Sequence, residues 1–291
     1  GGADPPRGLH GEVEEDMTTS GRHRRRATDI SGAEWALILG ASSGFGKATA
    51  LELASHGFNI AGVHFDRKAA LKDVEDEVEQ IRSYGVEVKF FNINAADAEK
   101  RKEVLDVLSH ELRDGKGMVK VLMHSLAFGT LKPYIPKEGE TQLTQDQMEM
   151  TVDVMAHSLV YWTQDLFHRR LIGQGSRIFA MTSEGNLRAW AYYGAVSAAK
   201  CALESHIRQL AVELAPHGVT ANAIQAGVTD TPALRKIPGH EQMIISAKKR
   251  NPAGRLTTPE DVARAIALLA SQKSQWITAN VIRVDGAEFI S

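Results

Sequence analysis

One short segment constrains the fold of this chain more than any other. Gly40-Ala41-Ser42-Ser43-Gly44-Phe45-Gly46 lies between an apolar run, Trp35 to Leu39, and a helical stretch from about Gly44 to His56. A strand that turns through glycines into a helix is how dinucleotide-binding folds begin. The glycines let backbone approach a pyrophosphate, and the free N–H groups of the new helix face its charge. The G-x-x-x-G-x-G spacing alone is weak; its place after a first strand and before a first helix makes it strong. Gly40, Ser42, Ser43, Gly44, Phe45 and Gly46 are therefore candidate cofactor-binding residues.

The alternation continues to the carboxy terminus. Strands are predicted at Asn59–Phe65, Val86–Phe91, Val119–His124, Arg177–Met181, Val219–Ile224 and Val281–Val284. Helices are predicted at Lys68–Tyr84, Asp97–Arg113, Gln145–Ile172, Tyr193–Pro216 and Pro259–Ser271. Such an order predicts a single α/β, doubly wound (Rossmann-type) domain over 30–291 with a seven-stranded parallel sheet. Residues 126–144 read as loop, with Pro133 and Pro136. Residues 228–257 read as irregular, with Pro232, Pro238 and Pro252, and are long enough to be a substrate-covering loop. Residues 1–29, rich in Gly, Pro, Glu and Arg, have no apolar face to bury, so a flexible amino-terminal tail is expected.

Composition narrows the function classes. At 291 residues the chain can bury a large core, and 43% hydrophobic residues is an ordinary globular content. A net charge of −2 favours neither nucleic acid nor an anionic membrane. No apolar run is long enough for a membrane span, and no signal-peptide pattern opens the chain, so a cytoplasmic location is expected. The single cysteine, Cys201, excludes an internal disulfide. The eleven histidines show no metal-ligand spacing, so no metal is expected.

The chemistry points to Tyr193 and Lys200, in Tyr192-Tyr193-Gly194-Ala195-Val196-Ser197-Ala198-Ala199-Lys200. A phenol beside an ammonium is a ready hydrogen-bond or proton donor. Seven residues on a helix turn through about 700°, which brings Tyr193 back to within about 20° of Lys200. If the segment before Gly194 is not helical, that argument lapses and Tyr192 becomes the alternative donor.

These residues resemble the short-chain dehydrogenase/reductase family, over about residues 33–291. Val284-Asp285-Gly286, Ala226-Gly227 and Pro252-Ala253-Gly254-Arg255 fit it as well. Most of that family places the tyrosine four residues before the lysine, where this chain has Val196. The seven-residue spacing and His124-Ser125-Leu126 resemble the divergent branch of bacterial enoyl-acyl-carrier-protein reductases, and the stretch from Ala211-Val212-Glu213-Leu214 through Asp230-Thr231 to Pro252-Ala253-Gly254-Arg255 resembles especially its NADPH-using type. The main family's serine and long-helix asparagine are replaced by Thr182 and Met155. The second tyrosine of the best-known enoyl reductases is replaced by Ser183.

The resemblance implies a reductase of trans-2-enoyl thioesters carried on acyl carrier protein, in fatty acid synthesis, and a homotetramer. Tyr193 and Lys200 would be catalytic; Ser183, Tyr192 and Tyr193 would meet the substrate. Lys200, Ser125, Leu126, Gly227, Val228, Thr229 and Thr231 would hold the nicotinamide side of the cofactor, and Asn92 and Ile93 the adenine. Lys200 would also lower the Tyr193 pKa. At the end of the second strand His64 falls at the position that selects between cofactors, with Asp66, Arg67 and Lys68 following. No acid occupies it and Arg67 is near, so NADPH is expected, with NADH kept open by Asp66. Two alternatives stand: a carbonyl reductase of hydroxysteroid type, and a catalytically idle NADP-binding sensor.

Overall fold

The structure, a computed structural model, describes residues 33–113 and 116–291. The expected tail at 1–29 lies outside the described residues. Seven strands, β1 (Ala33–Leu39), β2 (Asn59–His64), β3 (Val88–Asn92), β4 (Gly117–His124), β5 (Arg177–Thr182), β6 (Thr220–Ala226) and β7 (Val281–Val284), form one sheet in the order β3-β2-β1-β4-β5-β6-β7. Every neighbouring pair is parallel. The eight α-helices of the described residues are α1 (Gly44–Ser55), α2 (Leu71–Arg82), α3 (Ala98–Glu111), α4 (Gln145–Val152), α5 (Ser158–His168), α6 (Gly194–Leu214), α7 (His240–Arg250) and α8 (Pro259–Leu269).

Alternation along each strand divides the core into two layers. Trp35, Leu37 and Leu39 of β1 face a layer completed by α3, α5 and α6, through Leu105, Trp162 and Leu203. Ala36 and Ile38 face the other layer, completed by α1, α2 and α8, through Leu53, Ile81 and Ile266. Trp162 is buried because its indole N–H has a partner, the Ala95 carbonyl at 2.8 Å.

This winding makes a crevice. From β1 the chain proceeds outward to β2 and β3, then crosses back to β4 on the other side of β1. Leu39 and His124 end side by side, so the loops that follow them diverge at the carboxyl ends of the strands. Open parallel sheets bind ligands at that switch point.

Two expectations need correction. The single helix predicted from Gln145 to Ile172 ends at His168 and is interrupted by a π-type turn at Asp153–His157. There the Ser158 hydroxyl donates back to the Val154 carbonyl at 2.8 Å. Residues 228–257 are not irregular throughout. A 3₁₀ turn, Leu234–Lys236, precedes α7, which starts directly after Gly239 in the left-handed conformation at φ +81°. Pro238 and Pro252 on either side hid this helix in the sequence, although Met243 and Ala247 carry its inward stripe.

Candidate active site

A cavity of about 570 Å³ opens at the switch point. Its floor at one end is the glycine turn. Gly40 has φ +88°, and a Cβ there would overlap the Ser125 carbonyl; a Cβ on Gly46 would overlap the carbonyl of Gly40. The turn is thus closed so tightly that only glycine fits at both positions. It delivers the chain into α1 with no acidic side chain in the first turn and no side-chain cap from Ser43. The first N–H groups of α1 remain available to an anion, supported by the positive end of the helix. Gly40, Ser42, Ser43, Gly44 and Phe45 line the cavity, whereas Gly46 packs beneath it. These residues fit the pyrophosphate of a dinucleotide.

At the end of β2 the sequence expectation shifts. His64 is buried in the wall, and its Nδ1 lies 2.9 Å from the Asp66 carboxylate. Asp66 also lines the cavity, while Arg67 is exposed and outside the lining. Asn92 is outside it too, because its side-chain amide bonds both backbone groups of Asp66 at 3.0 Å. It clamps the β2 turn, and Asn94 and Ala95 join Ile93 at the wall instead. Asp66, which keeps NADH open in the sequence, is thus at the wall, whereas Asn94 has no sequence signal because β3 runs to Asn92, one residue later than predicted.

The far end of the cavity is formed by Ser125, Leu126, Met155, Thr182, Ser183, Tyr193, Lys200 and the Gly227–Thr229 turn. Thr231 also lines the cavity, but beside Gly44 at the glycine turn. α6 begins at Gly194, with Tyr193 as its N-cap; the Tyr193 carbonyl accepts from Ser197 N at 2.8 Å. Tyr193 is thus the half-helical residue that opens α6, and it lines the same cavity as Lys200. Tyr192 turns away from that cavity. Its φ of +64° reverses its direction, and its hydroxyl donates to Glu140 at 2.6 Å, outside the cavity lining.

The electrostatics differ from the expectation for Tyr193. Burial pushes its phenol up, and the Ser183 hydroxyl, 3.2 Å away, opposes this only in part. The phenol is held protonated as a donor, not biased toward tyrosinate. Burial pulls Lys200 down to about 8, with the nearby Glu204 carboxylate acting the other way. The Lys200 ammonium donates to the Met181 carbonyl at 2.7 Å.

One element of the site had no sequence signal. Arg250, at the end of α7, reaches Glu184 at 3.0 Å and Glu288 at 3.2 Å, and so ties α7 to the turn after β5 and to the carboxy terminus. These partners are 66 and 38 residues away, beyond any local pattern. Among the described residues no metal-binding cluster occurs, and no helix is long and apolar enough to cross a membrane.

Comparison with known proteins agrees with this geometry. Residues 40–286 match the family described as enoyl-(acyl carrier protein) reductase, and residues 3–71 match the NAD(P)H binding domain of trans-2-enoyl-CoA reductase. The chain is 29% identical over 253 residues to the 1-cyclohexenylcarbonyl-CoA reductase of Streptomyces collinus, covering 86% of this chain and 85% of that protein. It is also 29% identical over 256 residues to a 3-oxoacyl-[acyl-carrier-protein] reductase of Aggregatibacter actinomycetemcomitans, covering 87% of this chain and 98% of that one. Among solved structures, the enoyl-[acyl-carrier-protein] reductase (NADH) of Aquifex aeolicus superposes with a TM-score of 0.74 at 25% identity, covering 90% of this chain and 98% of its own. With a family match that spans the phosphate turn, the Tyr193–Lys200 pair and the last strand, the chain belongs to the enoyl-(acyl carrier protein) reductase family, a divergent branch of the short-chain dehydrogenases/reductases.

Proposed function

We propose that this oxidoreductase reduces the 2,3 double bond of a trans-2-enoyl thioester. The observation that carries the reading is the placement of Tyr193. The phenol seven residues before Lys200 lines the cavity, and Val196 fills the position from which carbonyl-reducing relatives present theirs. A nicotinamide dinucleotide, when bound, supplies the hydride that enters the β-carbon. Tyr193 donates a hydrogen bond to the thioester oxygen, where enolate charge develops, Ser183 orients that phenol, and a proton taken from solvent at the α-carbon completes the reduction. Lys200 is placed to hold the ribose hydroxyls of the cofactor through an ammonium already oriented by Met181. Gly227, Val228, Thr229 and Thr231 would border the nicotinamide. Leu234, Ile237 and Met243 line the cavity from the 228–257 segment and would cover the acyl chain, whereas Ile244 is outside the lining.

Acyl carrier protein as the carrier, a role in fatty acid synthesis and a homotetramer are part of the same proposal. The carrier is supported by the family's description and by the Aquifex aeolicus neighbour; the pathway and the tetramer rest on the resemblance to the family alone.

The cofactor choice moves with the geometry. Cations near the end of β2 favour NADPH in the sequence, but it is Asp66, not Arg67, that lines the cavity. A carboxylate there supports a 2′-hydroxyl over a 2′-phosphate, hence NADH. Fluorescence titration is expected to show NADH binding at least about tenfold more tightly than NADPH. Asp66→Asn should narrow that gap, chiefly by improving NADPH binding. Equal affinities in the parent protein would remove this role for Asp66.

The activity itself is tested by following NADH and NADPH absorbance with crotonyl and acetoacetyl thioesters in parallel. Oxidation with crotonyl thioester supports enoyl reduction; oxidation with acetoacetyl thioester alone replaces it with carbonyl reduction. The carbonyl reading has one observation of its own, the Ser183 hydroxyl beside Tyr193, a pairing suited to a ketone oxygen. Cofactor binding with no oxidation of either coenzyme would favour the sensor.

A further inference from the structure

Three consecutive residues at the end of β5 are each held from the α6 segment. The Met181 carbonyl accepts from Lys200, the Thr182 hydroxyl donates to Glu204 at 2.6 Å, and the Ser183 hydroxyl pairs with Tyr193. Positions 193, 200 and 204 are seven and then four residues apart, so after about 700° and 1100° each returns to within about 20° of one stripe. The same Glu204 oxygen accepts from the Asn186 side chain, at the end of the 3₁₀ turn Glu184–Asn186. Glu204 thus grips both ends of the segment that carries Ser183. This also accounts for Thr182, whose hydroxyl stands at the main family's serine position yet is committed to Glu204.

We propose that Glu204 is a positioning residue, which keeps Ser183 in register with Tyr193 through Thr182 and Asn186 and, one helical turn along α6 from Lys200, sets a carboxylate on the same stripe as the lysine. The inference rests on Tyr193 and Lys200 being the reacting pair. Lys200 is buried, and burial draws it to about 8 against the pull of Glu204. The other groups around it do not replace that charge. His124 on β4 is held neutral, at about 3, by its own burial and by Lys200. Tyr193 is a neutral phenol. Glu184 lines the same cavity but is bound to Arg250, and Arg188 and Arg250 are cations. His157 on the π turn pairs with His206 on α6 at 2.9 Å.

Glu204→Gln keeps the size and an acceptor oxygen while removing the charge; Glu204→Asp keeps the charge. NADH affinity, read by fluorescence from pH 6 to 9.5, reports on the ammonium without turnover. Loss of the anion destabilises the protonated lysine, so the alkaline fall in affinity is expected about one pH unit lower in Glu204→Gln. It should return toward the parent position in Glu204→Asp. Thermal melts establish that each variant is folded, and kcat in Glu204→Gln should fall by about tenfold or more with KM little changed. Coincident affinity profiles in parent and Glu204→Gln, or a parent profile with no alkaline fall, would overturn the inference. Tyr193→Phe, run alongside, separates the two levels. If it retains turnover the reacting pair is wrong, whereas the affinity profiles still decide the role of Glu204.

Discussion

Replacing Tyr193 with phenylalanine is expected to lower kcat for the enoyl thioester by about 10²–10³-fold, with NADH affinity within about threefold of the parent. The substitution removes one oxygen and leaves a ring of nearly the same shape. The loss therefore measures what the phenol contributes once charge develops on the substrate oxygen, about 3–4 kcal/mol for a donor of this kind. Because burial raises the Tyr193 pKa, the donor is intact throughout the neutral range, and the effect should not depend on pH between 6 and 8. Tyr192→Phe removes only the bond to Glu140 outside the cavity lining, so kcat should change by about twofold or less. Steady-state kinetics of the two variants side by side check both statements. A large loss in Tyr192→Phe with Tyr193→Phe unaffected would reverse the assignment.

The second large effect is expected at Gly46. A Cβ there meets the Gly40 carbonyl, a backbone atom with no freedom to swing aside. Gly46→Ala must push the phosphate turn away from α1, at a cost of about 1–3 kcal/mol, or a fall of about 2–6 °C in Tm. The same displacement misaligns the N–H groups facing the cofactor, so NADH affinity should drop by at least about tenfold. Gly57→Ala is the control. Its φ of +91° makes alanine strained by about 1 kcal/mol, but a Cβ there meets nothing within 4 Å. That variant should lose stability without losing cofactor. Calorimetry and fluorescence titration give the two readouts. Unchanged affinity in Gly46→Ala would mean that the turn is not the phosphate cradle.

The sheet was legible because its signals are local. Apolar runs of strand length, separated by helical stretches and punctuated by glycine and proline, specify parallel order through the right-handed crossover rule. The Tyr193–Lys200 pair was legible for the same reason, since a seven-residue spacing on one helix is a local geometric fact. What the sequence did not disclose depends on contacts between distant segments. Glu204 reads as one more surface acid until β5 brings Thr182 against it. Asn92 reads as a ligand contact until it is seen bonding the backbone of Asp66, 26 residues earlier. Tyr192 and Tyr193 are adjacent and alike in composition; a left-handed backbone at Tyr192 separates them, and nothing about tyrosine foretells it. α7 was hidden by the prolines that flank it, and its anchor, Arg250, by the distance to Glu184 and Glu288.

The most direct test of enoyl reduction is to follow where the hydride goes. Purified protein would be given coenzyme deuterated at the transferable position, with crotonyl and acetoacetyl thioesters together in equal amounts, and the products read by mass spectrometry. Enoyl reduction gives butyryl thioester carrying one deuterium at C3, with acetoacetyl thioester left unreduced. Deuterium found only at the carbinol carbon of 3-hydroxybutyryl thioester would contradict it and assign the cavity to ketone reduction.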